Sequence, residues 1–318
     1  SFSEKRGRQI VEKLKDLIDN ILSDYIEITL KGIEDKPARF KLFFNRLVDT
    51  ATNLIYHISN ELNQSAFSFD AFEMELGQDS EIAPLKLKLF DDSFVEVRGK
   101  IDRVDIMKLG EKNYIRVVDY KTGAKDFNLS DILWGLNMQM LIYLAAIWKN
   151  GEKRYGQVFP AGVLYMPSKN SIINADRNEK SNKIEDQRLK KYRMNGLLLN
   201  DSQVIYGMEK DAKGLYIPVK MKDGKPQKID SLVNLEQMGK ITKYIEHLII
   251  SMATELKKGK IEPNPAILDD KNTCEYCEYR AICKIEDEPI WREISQAKRE
   301  EFFEKIEKEL GGGFNGSV

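Results

Sequence analysis

The sequence predicts a mixed α/β fold, a central mixed sheet flanked by helices in front and behind. Three observations carry that class. Apolar residues recur at helical spacing through roughly the first sixty positions. From Phe67 to Lys121 the period switches to that of strands. After that run the order continues as helix then strand, the pattern of a crossover back into the same sheet. A chain of 318 residues can bury a substantial core, and nothing in the pattern divides it into two cores of comparable size.

Each element has its own signal. Ile10, Leu14, Leu17, Ile18 and Ile21 mark a first helix, and Phe40, Phe43, Phe44, Leu47 and Leu54 mark a second, with a break at 31–37. Strands are expected at 67–76, 85–90, 94–108 and 113–121, turning at Asp91-Asp92-Ser93 and Leu109-Gly110-Glu111-Lys112. A single helix is expected from about Ser130 to Trp148, with Ser130 or Asp131 as its N-cap. A strand at Gln157–Tyr165 ends at Met166-Pro167, and the polar run 168–185 reads as an exposed loop. Residues 214–230 read as a hairpin turning at Asp223-Gly224. Leu235–Lys258 reads as a helix, capped by Gly259 and barred from extension by Pro263 and Pro265. A charged helix near 292–309 precedes a glycine-rich tail expected to be disordered. The organisation is thus a helical N-terminal segment (1–66), an α/β core (67–262), a Cys-rich region with its helix (263–309) and the tail (310–318).

Fifty Lys and Arg against 51 Asp and Glu leave a formal charge of −1, which excludes a polycation but not a local groove for nucleic acid. No apolar run approaches the ~20 residues that span a bilayer, and no signal-peptide pattern opens the chain. Three cysteines cannot all pair internally, so reduced thiols and a cytoplasmic setting are expected.

The informative chemistry lies in Gly99-Lys100-Ile101-Asp102-Arg103-Val104-Asp105 and Val117-Val118-Asp119-Tyr120-Lys121-Thr122-Gly123. Side chains alternate along a strand, so Asp119 and Lys121 share a face while Tyr120 points away. Asp102, on the neighbouring strand, can join them. Two carboxylates suit Mg²⁺ or Mn²⁺, which prefer oxygen ligands, and the Tyr120 backbone carbonyl can add a third. Lys121 would stabilise charge on a phosphate or on an attacking hydroxide. Parity sends Asp105 to the other face, where a salt bridge with Arg103 or a nearby Lys is the simpler reading. Glu73 and Glu75 share a face of an earlier strand, and either Glu75 is a further ligand or both are solvated. Gln139 and Tyr143 lie at i,i+4 on the next helix, as a polar pair over the site or with Tyr143 as core.

Cys274, Cys277 and Cys283 form C-x2-C-x5-C, a spacing that lets three thiolates reach one metal centre. A zinc site or a cubane cluster normally takes four ligands, and the nearest His in sequence is His247. Arg188, Lys190, Lys191 and Arg193 would either track a nucleic-acid backbone or form a solvated helix face.

In this combination of motifs, together with Gly135–Leu144 and Ala161–Tyr165, the chain resembles the RecB-type nucleases of the PD-(D/E)XK superfamily, over roughly residues 67–290. Within that superfamily the likeness is to the C-terminal nuclease domain of AddB-type subunits of bacterial helicase–nucleases. The resemblance implies a restriction-endonuclease-like core and a metal-dependent DNA exonuclease. It implies Asp102, Asp119 and the Tyr120 carbonyl as metal ligands, Lys121 as catalytic lysine, and Gln139 and Tyr143 as its supporting pair. It further implies Cys274, Cys277 and Cys283 as three of four ligands of a [4Fe–4S] cluster. DNA single strands or ends would be the substrate, an AddA-like subunit the partner, and no membrane is involved. Two family features are missing: a Gly-x-x-x-His helix, which neither His57 nor His247 supplies, and a cysteine upstream of Cys274. Both are expected in sequence preceding Ser1, which makes the chain a piece of a longer protein. No G-x-x-x-x-G-K-[ST] motif is present, so ATP-driven unwinding would belong elsewhere. The alternative is a catalytically impaired module that keeps the nuclease fold for DNA binding or assembly.

Overall fold

The computed structural model describes residues 16–123, 126–168, 187, 189–227, 230–268, 271–275, 277–283 and 291–311. The expected loop 168–185 beyond Ser168, the tail after Gly311, Ile10, Leu14 and Arg188 lie outside the described residues. Helix α1 (Ala38–Gln64) leads into β1 (Ser68–Leu76), then β2 (Leu85–Lys88), β3 (Phe94–Val97), β4 (Gly99–Leu109) and β5 (Lys112–Lys121). Helix α2 (Gln139–Asn150) precedes β6 (Val158–Pro167), β7 (Asn195–Leu199) and α3 (Ser202–Met208). The chain continues through β8 (Met221–Lys222), β9 (Lys225–Pro226), β10 (Leu232–Val233) and α4 (Leu235–Lys257). It closes with β11 (Ala266–Leu268), β12 (Lys271–Asn272), β13 (Arg292–Glu293) and α5 (Arg299–Glu309).

The frame is a six-stranded mixed sheet in the order β1-β4-β5-β6-β7-β10. β1, β4 and β5 run antiparallel in sequence, β5 and β6 are parallel across the α2 crossover, and β7 returns antiparallel to β6. Alternation along the strands gives both faces an apolar surface. Val104, Val117 and Val163 pack under α2, α4 and α5 on one face. Met107, Val118, Leu164 and Leu198 pack with α3 and the C-terminal half of α1 on the other. The expected mixed sheet between helical layers is therefore the fold.

Three local expectations are corrected. The strand expected at 94–108 is two strands, because β3 pairs with β2 in a small separate sheet while β4 joins the main one. The helix expected from Ser130 to Trp148 is broken. Asn128, not Ser130 or Asp131, caps a 3₁₀ turn at Leu129–Trp134 by accepting the Ser130 N–H at 3.0 Å. Gly135 (φ 73°) and Asn137 (φ 55°) then take left-handed conformations that cannot continue a right-handed helix. Asn137 is held there by its Nδ2, which donates to Asp131 Oδ2 at 2.5 Å. Finally, the charged helix near 292–309 begins only at Arg299. The expected Asp223-Gly224 turn is present, with φ of 51° and 72°, the two positive values a tight hairpin turn of this kind requires. Helix α4 starts on a reciprocal cap between Asn234 and Gln237.

Behind the sheet, on the α1 side, four fully buried charges meet. Arg103 donates to both Asp105 oxygens at 2.8 Å and to Glu61 Oε2 at 3.0 Å. Arg116 donates to Asp105 Oδ2 at 2.8 Å and to Glu61 Oε1 at 2.6 Å. The two guanidinium groups and two carboxylates cancel, and each charge is hydrogen-bonded, the condition under which buried ions are tolerable. Asp105 thus faces away from Asp102 and pairs with Arg103.

Candidate active site

The antiparallel ladder between β4 and β5 runs from Leu109 opposite Lys112 to Arg103 opposite Val118 and stops there, although both strands continue. Extending the register by one step sets Asp102 across from Asp119. In the opening, Asp102 Oδ2 accepts the Tyr120 N–H at 3.0 Å. A residue in an antiparallel strand directs its N–H and C=O toward the same neighbour. The Tyr120 carbonyl therefore faces the Asp102 side, while its side chain packs on the opposite face. Asp119 is only 4% exposed. Lys121, two residues on and so on the same face, places Nζ 2.5 Å from Asp119 Oδ2.

Strand β6 supplies a third wall. Tyr165 stands in parallel register with Asp119 and is buried. Its ring centroid lies 5.7 Å from Lys121 Nζ, and Phe127 tilts against it at 6.4 Å. Burial first, then the Asp119 and Asp131 carboxylates, push the Tyr165 phenol up to about 12, so the ring carries no charge at neutral pH. Sequence reasoning assigned Tyr165 no role. Its only signal was a place in the Ala161–Tyr165 strand, whose register against β5 is a tertiary fact.

Gln139 opens α2 and is exposed, and its Nε2 donates to the Tyr143 hydroxyl at 3.0 Å. Tyr143 is also part of the core on this face. Its ring covers Gly99 at the start of β4, where an added Cβ would lie 2.7 Å from both Cε1 and the hydroxyl. The pair thus stands over the strand that carries Asp102, three residues before it.

Glu73 stands across from Asp102 in the β1–β4 register, and its carboxylate binds Lys100 Nζ at 2.7 Å, while Glu75 is exposed. His57 is buried on the α1 face between Tyr192 and Tyr216, with both centroids at 5.2 Å. Burial lowers its imidazole from 6.5 to about 4, against the Glu61 charge and a backbone hydrogen bond with Tyr192, which raise it. Lys190 and Arg193 are exposed and Lys191 is half-buried. Cys277 and Cys283 are exposed and Cys274 half-buried, all as free thiols. Among the described residues no three His, Cys, Asp or Glu side chains are gathered closely enough to hold a metal ion. Also among these residues, no helix is long and apolar enough to cross a membrane.

The donor set at the strand opening nevertheless suits a hard divalent cation. Asp102 and Asp119 offer carboxylate oxygens, the Tyr120 carbonyl faces the same side, and the remaining positions fall to water, as Mg²⁺ prefers. The Lys121 ammonium on Asp119 Oδ2 marks where positive charge is favoured.

Residues 4–284 match the family model of the PD-(D/E)XK nuclease superfamily. Curated relatives, each named as the B-type subunit of an ATP-dependent helicase/deoxyribonuclease, are similar along most of this chain. The protein of Thermoanaerobacter sp. (strain X514) is 29% identical over 317 residues, covering 96% of this chain and 28% of the relative. That of Clostridium kluyveri (strain NBRC 12016) is 34% identical over 310 residues, covering 91% and 26%. That of Clostridioides difficile (strain 630) is 33% identical over 287 residues, covering 88% and 25%. The chain therefore spans about a quarter of the length of these relatives.

Proposed function

The chain belongs to the PD-(D/E)XK nuclease superfamily, and from that premise we propose that it is the deoxyribonuclease domain of a bacterial helicase–nuclease. It acts as an Mg²⁺- or Mn²⁺-dependent exonuclease on DNA single strands or ends during double-strand break repair and recombination. The parting of β4 from β5 beyond Arg103 and Val118 supports this reading, because Asp102 accepts the Tyr120 N–H there and the Asp119–Lys121 pair lies on the same stretch of β5. Asp102, Asp119 and the Tyr120 carbonyl would hold the cation, which when bound would supply charge neutralisation at the phosphate and a more acidic water. Lys121 sets its ammonium beside the oxygens that gain charge as the P–O bond breaks. Gln139 and Tyr143 orient groups at the start of β4. Cys274, Cys277 and Cys283, which the structure does not gather into one site, would supply three ligands of a [4Fe–4S] cluster. An AddA-like subunit is the partner, in the cytoplasm.

The test is Mn²⁺-dependent digestion of linear single-stranded DNA, with Asp119→Ala and Lys121→Ala alongside. Each substitution is expected to lower the rate by at least about 100-fold, as loss of one charge-stabilising group commonly does. Digestion that survives both would sink the site assignment. A second reading, a catalytically impaired nuclease-fold module for DNA binding or assembly, draws on the two-carboxylate site, which gathers no third acidic or His ligand among the described residues. DNA binding without cleavage by the wild-type chain would favour it.

A further inference from the structure

We propose that Tyr165 is a positioning residue for Lys121, its ring face holding the ammonium at the strand opening. The inference rests on the reading of Asp119 and Lys121 as a nuclease site. Among the described residues, Lys121 Nζ has two neighbours that attract it. One is Asp119 Oδ2 at 2.5 Å, and the other is the Tyr165 ring, whose centroid is 5.7 Å away. A cation at Asp119 would repel the ammonium from the carboxylate. A lysine on four flexible methylenes would then turn to solvent, since its amine is strongly hydrated. The electron-rich ring offers a different attraction that a cation at Asp119 does not compete for.

Three features of the fold hold the ring in place. Tyr165 is in register with Asp119 on the adjoining parallel strand, so both side chains leave the same face of the sheet. The side chain is 2% exposed, which leaves few rotamers open to it. Phe127 packs against the ring at 6.4 Å between centroids, tilted at 33°.

The contact is read without catalysis by reductive ¹³C-methylation of the lysines, with the Lys121 dimethylamine signal assigned from its absence in Lys121→Arg. In the wild type that signal is expected upfield of the exposed lysines, through the ring current of Tyr165. The displacement should persist in Tyr165→Phe and vanish in Tyr165→Leu. In the cleavage assay, Tyr165→Leu is expected to lower kcat by about 3- to 30-fold, the factor a partly desolvated cation–π contact supplies. KM for DNA should stay within about twofold, and Tyr165→Phe should restore the rate. A Lys121 signal unshifted in the wild type, or unchanged by Tyr165→Leu, overturns the proposal. So does a Tyr165→Phe variant as slow as Tyr165→Leu, which would assign the effect to the hydroxyl. A displaced signal in a chain that cleaves nothing would instead refute the nuclease reading and leave the contact standing.

Discussion

Acidification should unfold this protein partly through one imidazole. His57 is 4% exposed, and its Nε2 has no hydrogen-bond partner among the described residues. Burial lowers it from 6.5 to about 4. Between those values the unfolded chain carries a proton on His57 that the folded chain does not, so stability falls as pH falls. At pH 7 the difference is small. By pH 5 the unfolded imidazole is largely protonated and the folded one is not, a loss of about 2 kcal/mol, on the way to a limit of roughly 3.4 kcal/mol below pH 4. The comparison is with His57→Phe, which keeps a ring between Tyr192 and Tyr216 but cannot titrate. Urea unfolding at pH 7, 6 and 5, followed by far-UV circular dichroism, gives the stability of each protein. The carboxylates of the two chains titrate alike and cancel in the difference. Wild-type stability should therefore drop by about 2 kcal/mol more than that of His57→Phe between pH 7 and pH 5. Parallel pH dependences would refute the reasoning, whatever the absolute stability of the variant.

Three further perturbations follow from the packing. Glu61→Ala leaves Arg103 and Arg116 buried against Asp105 alone and should cost about 3–5 kcal/mol in urea unfolding, the usual penalty for an uncompensated buried charge. A cost below about 1 kcal/mol would mean that water already reaches the cluster. Gly99→Ala forces a Cβ to 2.7 Å from the Tyr143 ring and should cost about 1–3 kcal/mol. In a Tyr143→Leu background the same change should cost at least about 0.5 kcal/mol less, and additive effects would show that the ring does not restrict Gly99. Asn234→Ala removes the reciprocal cap of α4 and should lower stability by about 1 kcal/mol, with Asn234→Asp close to wild type.

Much of the strand half of the molecule was legible in the residues themselves. Period-two alternation located β1, β5 and the run that contains β4, and it set Asp119 with Lys121 and sent Asp105 to a salt bridge with Arg103. Parity is a local property, set by the pleat, and so can be read from the chain wherever the strand is regular. The Asp223-Gly224 turn and the α4 boundaries were legible for the same reason, since turn and cap chemistry act within four residues. The broken helix before Gln139 was not. Its apolar residues keep helical spacing, and the break depends on Asn137 reaching Asp131 from a left-handed backbone.

The sequence by itself determined which residues could carry the chemistry, because alternation and spacing are covalent facts of the chain. Only the tertiary structure decided what surrounds them. The ladder between β4 and β5 ends at Arg103 and Val118, Tyr165 arrives beside Asp119 from a strand 46 residues on, and Glu61 joins Asp105 in neutralising two arginines behind the sheet. Each of these depends on the register between segments far apart in sequence. Register is set by how whole faces bury against each other, and no local pattern encodes it.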